Sequence, residues 1–129
     1  MHELKVASLA AEYGIIVSLP FGGTERYDQI WDVNGRLLKI QIKKCEINED
    51  GNAIKFSNQA KVKYEEGEID AIVTSYKNKI YYLPFEYINR SKKKTLFFSL
   101  PKDQIPNADK YNWAVDFEIE KQLNISKIF

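Results

Sequence analysis

A chain of 129 residues with 44% hydrophobic content is long enough for one domain with a substantial core and too short for two, so a single unit over residues 1–129 is expected. The formal net charge of +1 excludes the strongly basic balance of a non-specific DNA coater, and any polyanion must be met by local clusters. With one cysteine, Cys45, no apolar run of membrane-spanning length and no signal-peptide pattern, a cytoplasmic protein with no membrane partner is expected.

Residues 2–13 repeat apolar side chains at helical spacing, with Leu4, Ala7 and Ala11 leading and Val6 and Ala10 beside them, and Gly14 follows as a stop. Residues 15–19 form a short β-branched run closed by Pro20, which reads as a buried strand. Phe21-Gly22-Gly23-Thr24 is a loop and lacks the lysine and spacing of a phosphate-binding P-loop.

The most informative segment comes next. Tyr27-Asp28-Gln29-Ile30-Trp31-Asp32-Val33 and Arg36-Leu37-Leu38-Lys39-Ile40-Gln41-Ile42-Lys43 flank Asn34-Gly35, the strongest short-range hairpin signal, since both central residues of a type I′ turn need positive φ. Pairing Val33 with Arg36 and counting outward sets Asp28 directly across from Gln41, with Lys43 its diagonal neighbour on the same face. Alternation places Tyr27, Trp31 and Val33 with Leu38, Ile40 and Ile42 on the other face, which is core. A slip by one residue would drive Asp28 and Lys43 into that core, at the cost of burying unpaired charge.

Residues 53–57 read as a strand and residues 58–68 as a polar loop. Residues 69–76 and 80–83, on either side of Lys77-Asn78-Lys79, form a second hairpin ended by Pro84. Residues 85–89 suggest one helical turn, 95–100 a strand after the basic run Arg90-Ser91-Lys92-Lys93-Lys94, and 113–123 a C-terminal helix. The expected class is α/β (α+β), with a central mixed β-sheet flanked by helices.

A carboxylate opposite an amide and beside a lysine matches a hard divalent cation. Asp28 offers a carboxylate oxygen and Gln41 a neutral carbonyl oxygen, and Mg²⁺ keeps the rest of its shell as water. Lys43 is placed to orient or deprotonate a water nucleophile and to offset charge on a phosphorane-like transition state. One carboxylate holds such an ion weakly, and Glu3, in the first turn of the opening helix, is the candidate for a second. The plain alternative for Asp28, Gln41 and Lys43 is a solvated sheet face with a weak Asp–Lys pair, and for Glu3 an ordinary helix-start acid. Asp32 and Lys39 share the face nearer the turn and read as strand-end charge. The 90–94 run stands equally as a phosphate contact or a solvated loop, and the tyrosines Tyr76, Tyr81, Tyr82 and Tyr87 read as sheet packing. His2 and Cys45 lack the partners that zinc or a Cys-His nucleophile needs.

Together, Glu3 in an opening helix, the order helix, Gly14, strand, Pro20, then Tyr27-Asp28, the Asn-Gly hairpin and Ile40-Gln41-Ile42-Lys43 resemble the PD-(D/E)xK nuclease superfamily. The likeness is greatest to its group I intron-encoded homing endonucleases and to small Holliday-junction-resolvase-like endonucleases. Glu68-Ile69-Asp70 leading into Tyr82-Leu83-Pro84 extends it over residues 3–88. The resemblance implies a restriction-endonuclease-like core and an endonuclease that hydrolyses DNA, duplex or branched, with Mg²⁺ or Mn²⁺. It also implies catalytic roles for Glu3, Asp28, Gln41 and Lys43, with Asp28, Gln41 and Glu3 as metal ligands. Two positions depart from the family pattern: Tyr27 stands where a proline is usual, and Gln41 replaces the acidic residue of (D/E)xK. The second keeps open a catalytically silent DNA- or protein-binding module. Cutting both strands with so small a chain requires at least two copies, so a homodimer or homotetramer is expected.

Overall fold

The computed structural model describes residues 2–22, 25–49, 51–57, 64–90, 95–100 and 114–128. Helix α1 (His2–Ala11) is followed by β1 (Ile16–Ser18), β2 (Gln29–Val33) and β3 (Arg36–Ile42). Next come β4 (Glu46–Ile47), β5 (Ala53–Ser57), β6 (Ala71–Tyr76), β7 (Lys79–Pro84), α2 (Phe85–Arg90), β8 (Thr95–Ser99) and α3 (Ile119–Leu123). The strands form a five-stranded sheet in the order β1-β2-β3-β6-β7 and a three-stranded sheet in the order β4-β5-β8. β3 pairs parallel with β6, and the other ladders are antiparallel. The large sheet is therefore mixed and the fold is α+β. The separate small sheet was not foreseen, because a β-period identifies a strand and not its partner.

Both hairpins turn on two residues of positive φ, Asn34 and Gly35 in one and Lys77 and Asn78 in the other, the backbone a type I′ turn requires. Val33 pairs with Arg36, as the Asn-Gly turn dictates. Asp32 accepts the Gly35 N–H through Oδ1 at 2.8 Å, so its charge closes the turn. Lys39 donates through Nζ to the Gly67 carbonyl at 2.9 Å.

Two apolar layers sandwich the large sheet. On one side Val6, Leu9, Ala10 and Tyr13 of the first helical segment meet Trp31, Leu38, Ile40, Ile42, Val73, Tyr82 and Ile119. On the other, Ile69, Ile72, Tyr81 and Leu83 pack against Ile54, Phe56, Leu96 and Phe98 of the small sheet and Ile88 of α2. The four tyrosines are packing residues: Tyr81 and Tyr82 are buried, and Tyr76 and Tyr87 line the second layer. Burial pushes the Tyr81 and Tyr82 hydroxyls up to about 12, with the Glu118 and Asp70 carboxylates respectively adding to the rise.

Four expectations need correction. The buried stripe of α1 runs through Val6, Leu9 and Ala10, while Leu4 is 56% exposed; alanines carry too little area to fix the orientation of a short helix. β1 is an edge strand and only one side of the run is buried: Ile15 lies in the core and Val17 packs against it, while Ile16 is 66% exposed. Within the expected C-terminal helix, Ala114–Phe117 is a 3₁₀ turn and only Ile119–Leu123 is α-helical, while residue 113 lies outside the described residues. Finally, Tyr27 packs in the second layer, away from Trp31. The reason lies at Asp28. Loop residues 23–24, residues 58–63 of the polar stretch and residues 91–94 of the basic run fall outside the described residues.

Candidate active site

The β2–β3 ladder ends at the pair Gln29↔Ile40, and the Asp28 N–H also donates to the Ile40 carbonyl, at 2.7 Å. Two residues of the β2 side thus face one residue of β3, the arrangement of a β-bulge. The extra residue inverts alternation before it, which carries Tyr27 to the opposite face. It also corrects the expected pairing: Asp28 does not stand directly across from Gln41. Its side chain makes up the difference, because Oδ2 accepts the Ile42 N–H at 2.7 Å. The carboxylate is therefore tied to the β3 backbone between Gln41 and Lys43. Among the described residues, Oδ1 accepts no hydrogen bond, so one oxygen of a fixed, partly buried carboxylate remains available.

Gln41 and Lys43 lie at the end of the central strand. Gln41 pairs with Ile72 of β6, the Lys43 N–H donates to the Val73 carbonyl at 2.9 Å, and both side chains are partly buried. Glu3 is exposed. Its backbone carbonyl accepts from Gln29 Nε2 at 2.7 Å, which brings the first turn of α1 to the residue next to Asp28. No group of three or more His, Cys, Asp or Glu side chains suited to a metal is present among the described residues.

Beside Asp28 lies a cluster that the sequence did not reveal. Arg26 pairs with Glu68 at 3.3 Å, and its guanidinium sits 4.2 Å from the centre of the Tyr64 ring. Glu68 Oε1 also accepts the Glu65 N–H at 2.7 Å. Burial raises the Tyr64 hydroxyl, Arg26 opposes the shift, and the Asp28 and Glu68 carboxylates add to it, which places this phenol in the field of Asp28. The contacts pin residues 64–68 against the approach to Asp28. The Arg26–Glu68 pair joins residues 42 apart in sequence, so no local pattern announces it. Gln29 is the other omission. Its position two before Trp31 assigns it to the core face, and a polar residue at core parity was the available signal.

A cleft of about 1190 Å³ lies elsewhere, lined by Arg36, Tyr64, Asp70, Tyr82, Glu86 and Arg90 among others. None of Glu3, Asp28, Gln41 or Lys43 lines it. Asp70 closes the start of the parallel pair, accepting the Lys39 N–H at 2.7 Å through Oδ2.

A family model described as PD-(D/E)XK endonuclease matches residues 1–120. The chain belongs to the PD-(D/E)XK endonuclease family. No curated protein sequence matches it. Among solved structures, the bacterial homing endonuclease I-Ssp6803I is similar, with a TM-score of 0.74 and 19% identity over 95% of this chain and 85% of that one. The likeness shows that the PD-(D/E)XK chain shares the fold of a nuclease. No helix among its described residues is long and apolar enough to cross a membrane.

Proposed function

We propose that this PD-(D/E)XK protein is a divalent-metal-dependent endonuclease that hydrolyses phosphodiester bonds of duplex or branched DNA. The observation that carries the reading is the Asp28 carboxylate, held through Oδ2 by the N–H of Ile42, the residue between Gln41 and Lys43, with Oδ1 accepting no hydrogen bond among the described residues. Asp28 Oδ1, the Gln41 side-chain oxygen and the Glu3 carboxylate are hard oxygen donors, a set that fits Mg²⁺ or Mn²⁺ and not a soft metal. A bound cation of this kind supplies Lewis acidity and neutralises phosphate charge. Lys43 orients the attacking water and offers ammonium donors to the oxygens where negative charge grows. Ile42, by holding Oδ2, keeps the carboxylate from rotating away. Cutting two strands needs two sites, which supports a homodimer or homotetramer.

Gln41 favours a second reading, a module that keeps the scaffold and binds DNA or protein without cutting, because the amide removes one negative charge from the donor set. The two separate in one assay. Plasmid, linear duplex and four-way junction substrates are incubated with the protein in Mg²⁺ or Mn²⁺. The nuclease reading expects cleavage that EDTA abolishes and that Asp28→Asn and Lys43→Ala lose; cleavage persisting in either variant refutes the assignment. Binding without cleavage favours the silent module.

A further inference from the structure

We propose that Gln29 is a positioning residue for the cation site, holding the first turn of α1, and with it Glu3, against the strand that carries Asp28. The proposal rests on the reading that Asp28 and Glu3 serve the cation. Gln29 is fully buried and stands in a face otherwise built from Trp31, Leu38, Ile40 and Ile42. A buried amide is costly unless its polar atoms are matched, and an apolar side chain of similar volume fills such a place at little cost. What only an amide provides is a tether with a direction.

That direction is fixed. The Trp31 indole Nε1–H, a donor with no acceptor capacity, donates to Gln29 Oε1 at 2.9 Å. This sets which end of the amide is which and leaves Nε2 to donate, as it does to the Glu3 carbonyl at 2.7 Å. The chain of contacts runs from Trp31 through Gln29 to Glu3, while the Gln29 backbone pairs with Ile40 of the central strand. Gln29 is also the residue bonded to Asp28, at the bulge that aims the Asp28 carboxylate at β3. One residue therefore links the two candidate acids, by its side chain to one and by its backbone to the other. Glu3 is exposed on a helix that buries only a narrow stripe, so this tether is what keeps its turn in place.

The test is calorimetric titration of the full chain with Mn²⁺, run on the natural protein, Glu3→Gln, Gln29→Leu, the double variant and Trp31→Phe, with thermal melts in EDTA as the measure of folding alone. Gln29→Leu is expected to weaken Mn²⁺ binding about tenfold, the scale of lost outer-shell support. Trp31→Phe should weaken it in the same direction by less, and it carries the test if Gln29→Leu does not fold. In the Glu3→Gln background, Gln29→Leu should cause no further loss, because its effect passes through Glu3. Natural affinity in Gln29→Leu, or an equal loss with and without Glu3, overturns the proposal while leaving the cation reading intact. Natural affinity in Glu3→Gln removes Glu3 from the site and the proposal with it.

Discussion

The carboxylate of Asp28 accepts the backbone N–H of Ile42 at 2.7 Å, a side chain completing a ladder where the backbone of its own strand has slipped by one residue. This bond separates the structural from the chemical role of Asp28. Asp28→Ala leaves the Ile42 N–H without its acceptor and should cost about 1 to 3 kcal/mol of stability, seen as a lower melting temperature. Asp28→Asn keeps an acceptor oxygen there, and its melting temperature should stay within a few degrees of the natural protein. Both should lose cleavage. An Asp28→Asn variant that melts normally and cuts normally would show that the charge has no catalytic part.

Gln41→Glu restores the acid of the family pattern at a strand position held by its pairing with Ile72 of β6. The added charge should tighten Mn²⁺ binding about tenfold, from the stronger attraction of a carboxylate for a hard cation. Titration of the two proteins side by side checks this, and unchanged affinity would place residue 41 outside the cation's reach.

Much of this site was legible because it is local. Asn34-Gly35 fixed the turn, the turn fixed Val33 against Arg36, and alternation sorted Trp31, Leu38, Ile40 and Ile42 from Lys39 and Gln41. What alternation does not contain is an inserted residue, so the bulge at Asp28 and the reversal of Tyr27 were invisible. Arg26, Tyr64 and Glu68 were invisible for another reason, since they come from segments far apart in sequence that meet only in the folded chain. Gln29 donates to the Glu3 carbonyl, and its amide at a core position is a signal only when every inward residue is counted.

Arg26→Ala should lower stability by about 1 kcal/mol, because its partly shielded pair with Glu68 and its stacking on Tyr64 act together on one segment. Lys121→Ala breaks the pair with Asp116, 3.5 Å apart and more than half exposed on both sides, and should change stability by no more than about 0.3 kcal/mol. Urea unfolding of the two variants tests the contrast, and equal effects would mean that the Arg26 cluster holds nothing in place.

Tyr81 and Tyr82 set an alkaline limit. Their hydroxyls titrate near 12 in the folded chain and near 10 when unfolded, so the folded state holds its protons more tightly. The stability this supplies is complete below pH 10 and is lost as pH rises toward 12. Melting temperature should therefore fall across that window, with tyrosinate absorbance at 295 nm rising in step with unfolding. Tyrosinate signal from these two residues in a still-folded protein at pH 10.5 would contradict it.

Gly14 ends the first helix at φ +77°, and a Cβ there would collide with the Ile128 side chain. Gly14→Ala should cost about 1 to 2 kcal/mol, combining left-handed backbone strain with displacement of the C-terminal segment, and a thermal melt measures it.

The claim on which the account turns is that Asp28 grips a divalent cation. Crystals soaked in Mn²⁺ and measured at its absorption edge test it with no substrate needed. The account predicts an anomalous peak about 2.2 Å from Asp28 Oδ1, on the side facing Gln41. A peak elsewhere, or none at Asp28 at saturating Mn²⁺, would contradict it.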